Sequence, residues 1–531
     1  MKLIYTYLFV LFFFHCSSFS QTAQLDSLPV IYIPGIMGSP MYNDLNDDNK
    51  LTWNEKAWIG TEFGSMHLDT NGIDPLFNHF NIKVAPIRND TANTLLDEFE
   101  EEPLELFEGF FDNMEANGYV LDDNDNDFNE GENLFCFSYD WRKDNAYNAE
   151  LLSEFIDSVM NWTSSDQVNL VGHSMGGIVA KNFIKLFDES RVKKLVFIGT
   201  PHLGAPEVLT VMLTGKLFEW LNFFASNYYF RLLGRNLPSC YQLIPTRSYF
   251  DLTLNNGFSN GVEVYSECFQ LLDGTYLAYD ELIDYLRDYE SPAEEDLNDF
   301  LLDNSEIFKE DIDTVDFGNV QVFNIVGHNQ LTIGLNREVE LVPGSGIIII
   351  EDVRNLNGDY TVPVRSAELI NGEVFEHTYY VQGMIHSAVP SSQSTLEILL
   401  GAFSDPPITN FPQYSEPPES YATITDVEGY TELPQSIYLS QNFPNPFNPV
   451  TTIRYQLPVT GNVSLKLYDI LGNEIATLVN GEKSFGIYEI TFFAGNLPSS
   501  TYFYQLHISA LQSKDGRTEE YVETKKMVLM K

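Results

Sequence analysis

The fold of this chain is decided by the stretch Val168-Asn169-Leu170-Val171-Gly172-His173-Ser174-Met175-Gly176-Gly177. Its first four residues are mostly apolar and predict a buried strand, and residues 177–187 predict an amphipathic helix. The Gly-x-Ser-x-Gly pattern between them predicts a sharp turn, because glycines beside the serine avoid collisions with the neighbouring strand and helix. Such a turn presents the hydroxyl group of Ser174 at the edge of a sheet, which makes Ser174 a candidate nucleophile.

Further apolar runs alternate with helical stretches on both sides of this turn. The runs lie at residues 30–33, 134–139, 195–198 and 320–326, and helical periodicity covers residues 149–162. Buried strands that alternate with helices form a mainly parallel sheet with helices on both faces. The sequence therefore predicts an α/β fold.

A glycine-rich loop, Pro34-Gly35-Ile36-Met37-Gly38-Ser39, follows the first predicted strand. An acyl-transfer intermediate carries a negative oxygen, which needs one backbone N–H from the residue after the nucleophile and a second from an early loop. Met175 and Ile36 are the candidate donors of this oxyanion hole. A plain glycine turn is the alternative interpretation of the loop.

The candidate acid and base follow Ser174, in the chain order that this kind of fold requires. Among the later histidines of the predicted hydrolase domain, only His377 and His386 lie beyond Asp359, which stands in a predicted turn. His386 occupies a predicted loop before a helix, whereas His377 falls inside a predicted strand. Ser174, Asp359 and His386 are therefore the candidate nucleophile, acid and base, with Asp352 as a competing acid.

Six blocks between about Leu28 and Leu400 resemble the lecithin:cholesterol acyltransferase family in content and order. The blocks are Val30 to Ser39, Ser138-Tyr139-Asp140-Trp141-Arg142, Gly172 to Gly177, Gly199-Thr200-Pro201-His202-Leu203-Gly204, Leu237 to Pro245, and Gly358-Asp359-Tyr360-Thr361-Val362-Pro363. The resemblance implies an α/β-hydrolase fold, with Asp359 as the acid, His386 as the base and the oxyanion hole at Ile36 and Met175.

Two features depart from that family. Tyr360 stands where the family usually has glycine after the catalytic aspartate, and a large insertion at residues 205–319 is expected to contain a cap. The start of the insertion is apolar and aromatic, which favours either a core helix or a lid that covers the site and meets a lipid surface. The residues concerned are Val208, Val211, Met212, Leu217, Trp220, Leu221, Phe223, Phe224, Tyr228, Tyr229 and Phe230.

The chain is strongly acidic, with 76 acidic and 29 basic residues and a formal charge of -47. Such a field repels phosphate backbones, so nucleic acid is not an expected partner. The alternative is that the acidic residues simply form a soluble surface. Spacing favours a disulfide between Cys240 and Cys268 over one that includes Cys136.

One acidic segment suggests a metal site. Asp123, Asp125 and Asp127 alternate as calcium ligands would, but Phe128 replaces the glycine of a calcium loop and Leu134 replaces its final glutamate. A solvated acidic loop is the alternative interpretation, and no other cofactor is expected.

Residues 1–20 are typical of a signal peptide, with Lys2, an apolar run at residues 8–14, and the small residues Ser18 and Ser20. The apolar run is shorter than the roughly 20 residues that span a bilayer. The sequence therefore predicts an exported protein.

The chain beyond residue 403 changes in composition. Residues 404–436 are rich in proline and predict a linker, and residues 437–531 contain short alternating strands with eight basic and eight acidic residues. A β-sandwich is expected there. The run Asn445-Pro446-Phe447-Asn448-Pro449 and the end of the chain resemble the C-terminal sorting domains of type IX secretion. That resemblance implies the type IX machinery as a partner and a secreted or cell-surface location in a Gram-negative bacterium.

The expected organisation is a signal peptide (1–20), an α/β-hydrolase domain (21–403), a linker (404–436) and a β-sandwich (437–531). The candidate triad and the aromatic insertion favour a serine-dependent hydrolase or O-acyltransferase that acts on lipid esters through an acyl-enzyme at Ser174. An esterase for small soluble esters and a non-enzymatic surface protein on a hydrolase scaffold are the alternatives.

Overall fold

The chain divides into two compact units, which we describe separately. The computed structural model describes residues 25–39, 41–43, 68, 72, 82–84, 108–122, 131–216, 231, 234–255, 268–289, 297–340, 348–418, 438–439, 442, 445, 447, 450–457, 461–470, 472–483, 486–494, 497–512 and 518–530. The first unit comprises Met1–Thr214 and Arg231–Ile424, and the second comprises Gly215–Phe230 and Thr425–Lys531.

Thirteen strands are described in the first unit. They are β1 (Val30–Ile33), β2 (Met41–Asn43), β3 (Ile82–Val84), β4 (Leu134–Cys136), β5 (Val168–His173), β6 (Val192–Ile198), β7 (Phe269–Gln270), β8 (Gln321–His328), β9 (Gln330–Glu340), β10 (Ile348–Gly358), β11 (Leu369–Ile370), β12 (Glu373–Val374) and β13 (Thr378–Gln382).

Six of these strands form a parallel sheet in the order β13-β8-β6-β5-β1-β4. Every residue of β1 and β5 is buried, which explains why β1 is apolar along its length and why β5 is mostly apolar instead of alternating. The carboxyl ends of parallel strands meet at one edge of the sheet, where α/β proteins place their sites.

Ten helices are described in the same unit. They are α1 (Glu108–Glu115), α2 (Asn145–Thr163), α3 (Met175–Leu186), α4 (Glu207–Thr214), α5 (Pro238–Gln242), α6 (Arg247–Asn255), α7 (Tyr279–Asp288), α8 (Asp299–Ile312), α9 (Val364–Glu368) and α10 (Gln393–Ala402). The Asp144 carboxylate caps α2 by accepting the N–H of Ala146, and α2 ends where Ser164 adopts a left-handed conformation. The parallel sheet with its helices confirms the predicted α/β-hydrolase class.

An antiparallel hairpin of β9 and β10 stands outside the main sheet. Its register is irregular on both sides of Arg354. The second strand continues to Gly358, because its pairing with β9 resumes beyond the irregularity.

The segment after α10 packs on the first unit, and this corrects the predicted linker at residues 404–436. Phe411 is buried in the core, with Ile408 and Tyr414 packed against it, and its ring meets that of Tyr379 edge-on at 5.5 Å. The Tyr379 hydroxyl group donates to the carbonyl of Thr409 at 3.0 Å. Three apolar side chains among the prolines thus anchor residues 404–415, so the linker cannot begin at Ser404.

The second unit contains two antiparallel sheets, in the orders β14-β15-β18 and β17-β16-β19-β20. The strands are β14 (Tyr438–Leu439), β15 (Val450–Leu457), β16 (Gly461–Tyr468), β17 (Glu474–Lys483), β18 (Gly486–Phe493), β19 (Ser500–Gln512) and β20 (Thr518–Leu529). Alternate residues of both sheets enter one core, including Ile453, Leu465 and Tyr504. The predicted all-β sandwich is confirmed.

Several predictions concern residues outside the described part of the chain. These are the signal peptide at residues 1–20, the calcium loop at Asp123, Asp125 and Asp127, and the aromatic residues between Leu217 and Phe230. Within the described residues, no helix is long and apolar enough to cross a membrane, and no three potential metal ligands of the His, Cys, Asp and Glu types cluster.

The predicted disulfide is wrong in this structure. Cys240 and Cys268 are both free thiols, as is Cys136, and all three are buried. Cys240 lies in α5, whereas Cys268 precedes β7. The spacing of the cysteines in the sequence favoured this pair, but spacing does not show where in the fold the two thiols lie.

Candidate active site

Ser174 lies on the sharp turn between β5 and α3, with φ 54° and ψ −129°. The left-handed φ is strained for a serine, and it is stabilised by the Ser174 N–H, which donates to the carbonyl of Ile198 at 2.9 Å. A Cβ atom on Gly176 would lie 2.1 Å from the carbonyl oxygen of Ile33, and one on Gly172 would lie 2.6 Å from the Cα of Gly177. The glycines of the predicted turn are therefore required by close backbone approach.

His386 follows β13 and meets Ser174 directly. Its Nε2 lies 2.8 Å from the Ser174 Oγ, and its Nδ1 lies 2.7 Å from the Asp359 Oδ2. The Nδ1–H donates to the carboxylate, which leaves Nε2 as the acceptor for the serine hydroxyl group. His377, the other candidate, instead stacks on Phe323 with ring centroids 5.2 Å apart.

Asp359 lies in the turn formed by residues 358–363, which we call the acid turn. Its Oδ1 accepts the N–H groups of Thr361 at 3.2 Å and Val362 at 2.8 Å, while its Oδ2 faces His386. The carboxylate is completely buried. Asp352, the competing acid, lies within β10 opposite Asn336, so the structure brings Asp359 and not Asp352 to the histidine.

The glycine-rich loop after β1 lies against the nucleophile. A Cβ atom on Gly35 would come within 2.7 Å of the Ser174 Cβ, and the Gly38 N–H closes a turn on the Gly35 carbonyl at 3.0 Å. Ile36 and Met37 are the two corner residues of this turn, and Met37 has φ 63°. Ile36 therefore directly follows the residue in contact with Ser174, while Met175 is the first residue of α3.

The Ser138 to Arg142 block supports this loop. The Tyr139 hydroxyl group donates to the Pro34 carbonyl at 2.8 Å, and the Tyr139 N–H donates to the Ser39 Oγ at 3.0 Å. The Trp141 Nε1 donates to the Ser39 carbonyl at 3.3 Å. Three hydrogen bonds thus hold both ends of the loop that carries the candidate oxyanion donor.

Two opposing effects act on the pKa of His386. Burial lowers it, but the charge of Asp359 and the hydrogen bond to that carboxylate outweigh burial and raise the pKa above 6.5, with a smaller contribution from Glu207. The neighbouring His173 has the opposite shift, because burial holds its pKa well below the usual value. The raised pKa of His386 thus favours proton uptake, whereas the lowered pKa of His173 keeps that imidazole neutral.

Three residues near the triad were not singled out from the sequence. His173 Nε2 donates to the main-chain carbonyl of His386 at 3.2 Å. Glu207, at the start of α4, is buried, and burial raises its pKa to about 7. Arg354 contacts the acid turn from β10. Only His173 could have been found from a local sequence pattern, since it is adjacent to Ser174. The positions of Glu207 and Arg354 in the site depend on contacts between residues that are distant in sequence.

The described start of the aromatic insertion is part of the core. Val208, Val211 and Met212 lie in α4 and are buried. For these three residues the structure favours the core-helix interpretation over an exposed lid.

A serine on a strand-to-helix turn at the carboxyl edge of a parallel sheet, hydrogen-bonded to a histidine, is the arrangement found in the α/β-hydrolase class. Within that class, a family model described as lecithin:cholesterol acyltransferase matches residues 78–264. The matched segment includes Ser174 and ends before Asp359 and His386. It supports the resemblance to that family for this segment of the chain.

Two curated relatives from Arabidopsis thaliana match a similar length. Lecithin-cholesterol acyltransferase-like 4 is 35% identical over 127 residues, which are 22% of this chain and 24% of that protein. Phospholipase A(1) LCAT3 is 30% identical over 126 residues, which are 22% of this chain and 28% of that protein. The chain therefore spans about a quarter of the length of these relatives.

Among solved structures, a chain in the crystal structure of the Tle4-Tli4 complex is similar. It has a TM-score of 0.44 and 16% identity, and the match covers 71% of this chain and 98% of that chain.

Proposed function

We propose that this protein is a serine-dependent lipid acyl-ester hydrolase or O-acyltransferase that works through an acyl-enzyme on Ser174. The observation that carries the proposal is the continuous hydrogen-bonded chain from the Ser174 Oγ through His386 to Asp359, at 2.8 and 2.7 Å. Such a chain can move a proton away from the serine as it attacks. The two plant relatives, an acyltransferase-like protein and a phospholipase, support the lipid-ester substrate class.

The first half of the reaction forms the acyl-enzyme. His386 Nε2 takes the hydroxyl proton as the Ser174 Oγ bonds to the ester carbonyl carbon. The N–H groups of Ile36 and Met175 hold the negative oxygen of the tetrahedral intermediate. When the intermediate collapses, the C–O bond to the alcohol breaks and the departing alcohol receives the proton from His386.

The second half releases the acyl group. His386 takes a proton from water or an acceptor alcohol, whose oxygen then bonds to the acyl carbon. The bond to the Ser174 Oγ breaks and the serine regains its proton. Water yields a free fatty acid, and an alcohol yields a new ester, so the acceptor decides between hydrolase and acyltransferase.

Replacing Ser174 tests this function. We expect Ser174→Ala to lose ester turnover by about 10⁶-fold, with no labelling by a fluorophosphonate probe and an unchanged fold by circular dichroism. Ser158→Ala, on α2 outside the site, is the matched control and should keep both. Labelling of the Ser174→Ala protein at another serine would contradict the assignment.

A substrate panel separates lipid esters from small soluble esters. Purified protein is given phospholipid vesicles, with and without a sterol, and in parallel p-nitrophenyl acetate. We expect fatty acid from the vesicles, or sterol ester where the sterol is the acceptor. Turnover of p-nitrophenyl acetate alone would support the esterase for small soluble esters instead.

We also propose that the second unit is an export address and that the protein is secreted or displayed at the surface of a Gram-negative bacterium. The supports are the resemblance of its sequence to type IX sorting domains and a hydrophobic core of its own. In the native host, a chain that ends at Ile424 should accumulate in the periplasm. Its undiminished arrival in the medium would rule out the export address.

A further inference from the structure

The acid turn contains a strained residue immediately after the candidate acid. Tyr360 has φ 83°, a left-handed backbone conformation that glycine adopts freely and that a residue with a Cβ resists. Its two neighbours matter for the site, because Asp359 carries the carboxylate and Thr361 donates an N–H to it. If Tyr360 relaxed to a negative φ, both groups would turn with it.

Arg354 holds Tyr360 in two ways. Its Nη1 donates to the Tyr360 carbonyl at 2.7 Å, and its guanidinium carbon lies 3.8 Å from the centre of the Tyr360 ring. The first contact fixes the backbone of the strained residue, and the second is a cation–π contact that fixes its side chain. Arg354 thus stabilises Tyr360, the residue of the acid turn with the strained backbone.

The position of Arg354 is itself irregular. It lies in β10 where the pairing with β9 shifts register on both sides. Such irregularities redirect a side chain out of the regular alternation of a strand. The same guanidinium also reaches the Leu331 carbonyl at 3.4 Å, so Arg354 joins β9 to the acid turn.

Glu207 lies near Arg354 and Thr361. Glu207 is the first residue of α4. It is buried, and its Oε2 has no hydrogen-bond partner among the described residues. Arg354 stabilises its charge, and the Thr361 side chain hydrogen-bonds to it. The acid turn is therefore held from β10 by a cation and from α4 by a carboxyl group.

We propose that Arg354 is a positioning residue for ester cleavage, which holds the left-handed backbone of Tyr360 and so keeps the Asp359 carboxylate aligned with His386. The inference rests on the proposed function. In a chain where residue 360 needs no support, the arginine should be dispensable, and this relation distinguishes positioning from a general contribution to folding.

Arg354→Gln is the first variant in the test. We expect kcat to fall by about 10²-fold with KM unchanged, because a small misplacement of a catalytic group costs about that much. The acid limb of the kcat/KM profile should also move to lower pH, since the aligned Asp359 carboxylate is what raises the pKa of His386. Arg337→Gln is the matched control, because Arg337 lies on the same hairpin and pairs with Glu351 at 2.6 Å.

The double variant with Arg354→Gln and Tyr360→Gly tests whether Arg354 acts through the backbone of Tyr360. Glycine adopts φ 83° without strain, and the N–H of residue 360 can still donate to the Thr332 Oγ1, 3.0 Å away. The double variant should recover most of the lost kcat, and Tyr360→Gly alone should stay near the original rate. If Arg354→Gln does not fold, the kcat of the soluble double variant is compared with that of the original protein; a kcat near the original supports the proposal, and a kcat about 10²-fold lower contradicts it.

Three results would overturn it. They are an unchanged kcat in Arg354→Gln, an equal loss in Arg337→Gln, or no recovery in the double variant. The unsubstituted protein separates this proposal from the function on which it rests. If that protein neither turns over esters nor labels at Ser174, the proposed function fails and this inference falls with it. If it is active while Arg354→Gln matches it, only the positioning role fails.

Discussion

Asp359 uses its two carboxylate oxygens for different tasks. One binds the N–H groups of its own turn, and the other receives the Nδ1–H of His386. Asn in its place could keep a similar shape but would have no charge to stabilise the imidazolium ion. The residue should therefore matter more for the rate than for substrate binding.

Asp359→Asn should lower kcat by about 10³- to 10⁴-fold with little change in KM. In the proposed mechanism neutral His386 is the base, and its pKa is raised above 6.5, so kcat/KM of the original protein should fall as the pH drops through that raised value. Without the carboxylate, burial dominates and the pKa of His386 falls, so the acid limb of the residual activity should move to lower pH. The groups that face His386 are Asp359, Glu207 and His173, of which His173 stays neutral.

A stopped assay of kcat/KM across pH 4 to about 9 checks both expectations. Asp352→Asn is the control, because Asp352 is the nearby acid in β10 that does not meet the histidine. A larger loss of rate in Asp352→Asn would contradict the assignment of the acid.

The strand, turn and helix that carry Ser174 depend on one very close contact. The α carbon of Gly176, in the first turn of α3, lies beneath the last carbonyl of β1, where an added methyl group would be 2.1 Å from the Ile33 oxygen. Neither backbone can move without disturbing the central sheet, because β1 pairs with both β4 and β5. At this contact α3 and β1 lie so close that residue 176 has room for a hydrogen atom but not for a side chain.

Gly176→Ala should lower the free energy of unfolding by about 3 kcal/mol, near the upper range for overpacked interiors, and should also lower kcat because Ser174 must shift. Urea unfolding measures the first effect, and ester turnover measures the second. Gly234→Ala is the control, because its added methyl group would be 3.6 Å from the nearest atom, and its stability should change by less than about 1 kcal/mol. Equal stability of the two variants would show that β1 yields to the methyl group.

Local patterns explain why some elements could be predicted and others could not. The turn at Ser174 was predictable because glycine spacing, an apolar strand and a helix all occur within twenty residues. His386 followed from chain order and from its loop. Arg354 and Glu207 gave no signal, because their roles arise from a register shift in β10 and from the packing of α4, which no short pattern reports.

The boundary between the two units falls after Ile424, inside the predicted linker at residues 404–436, but the first part of that linker packs on the first unit. Prolines at residues 404–418 resemble a linker, yet Phe411 fits so closely that a methyl group on Gly401 would lie 2.3 Å from its ring. The average composition of a segment does not reveal a single apolar residue, such as Phe411, that packs into a core. Each unit has its own buried cluster, which supports independent folding of the catalytic part.

Truncation after Ile424 should leave ester turnover and Tm unchanged, whereas truncation after Pro407 should destabilise the catalytic unit by about 3 to 5 kcal/mol, the usual effect of removing a buried phenylalanine. Calorimetry and an ester assay on the two shortened chains measure this difference. Phe411→Ala in the full chain is the matched control and should reproduce most of the loss. Equal Tm values for the two shortened chains would contradict the packing role of residues 408–415.

The chain before β1 meets the chain after α10 in the interior of the first unit. The Asp26 N–H donates to the Phe403 carbonyl at 2.8 Å, and the ammonium group of Lys194 binds both Asp26, at 2.7 Å, and the Ser404 carbonyl, at 3.0 Å. Because these two segments already touch, a peptide that runs from the end of the packed segment at residue 415 back to residue 25 would close the chain with a modest loss of chain entropy. The first unit should therefore tolerate circular permutation at an exposed loop.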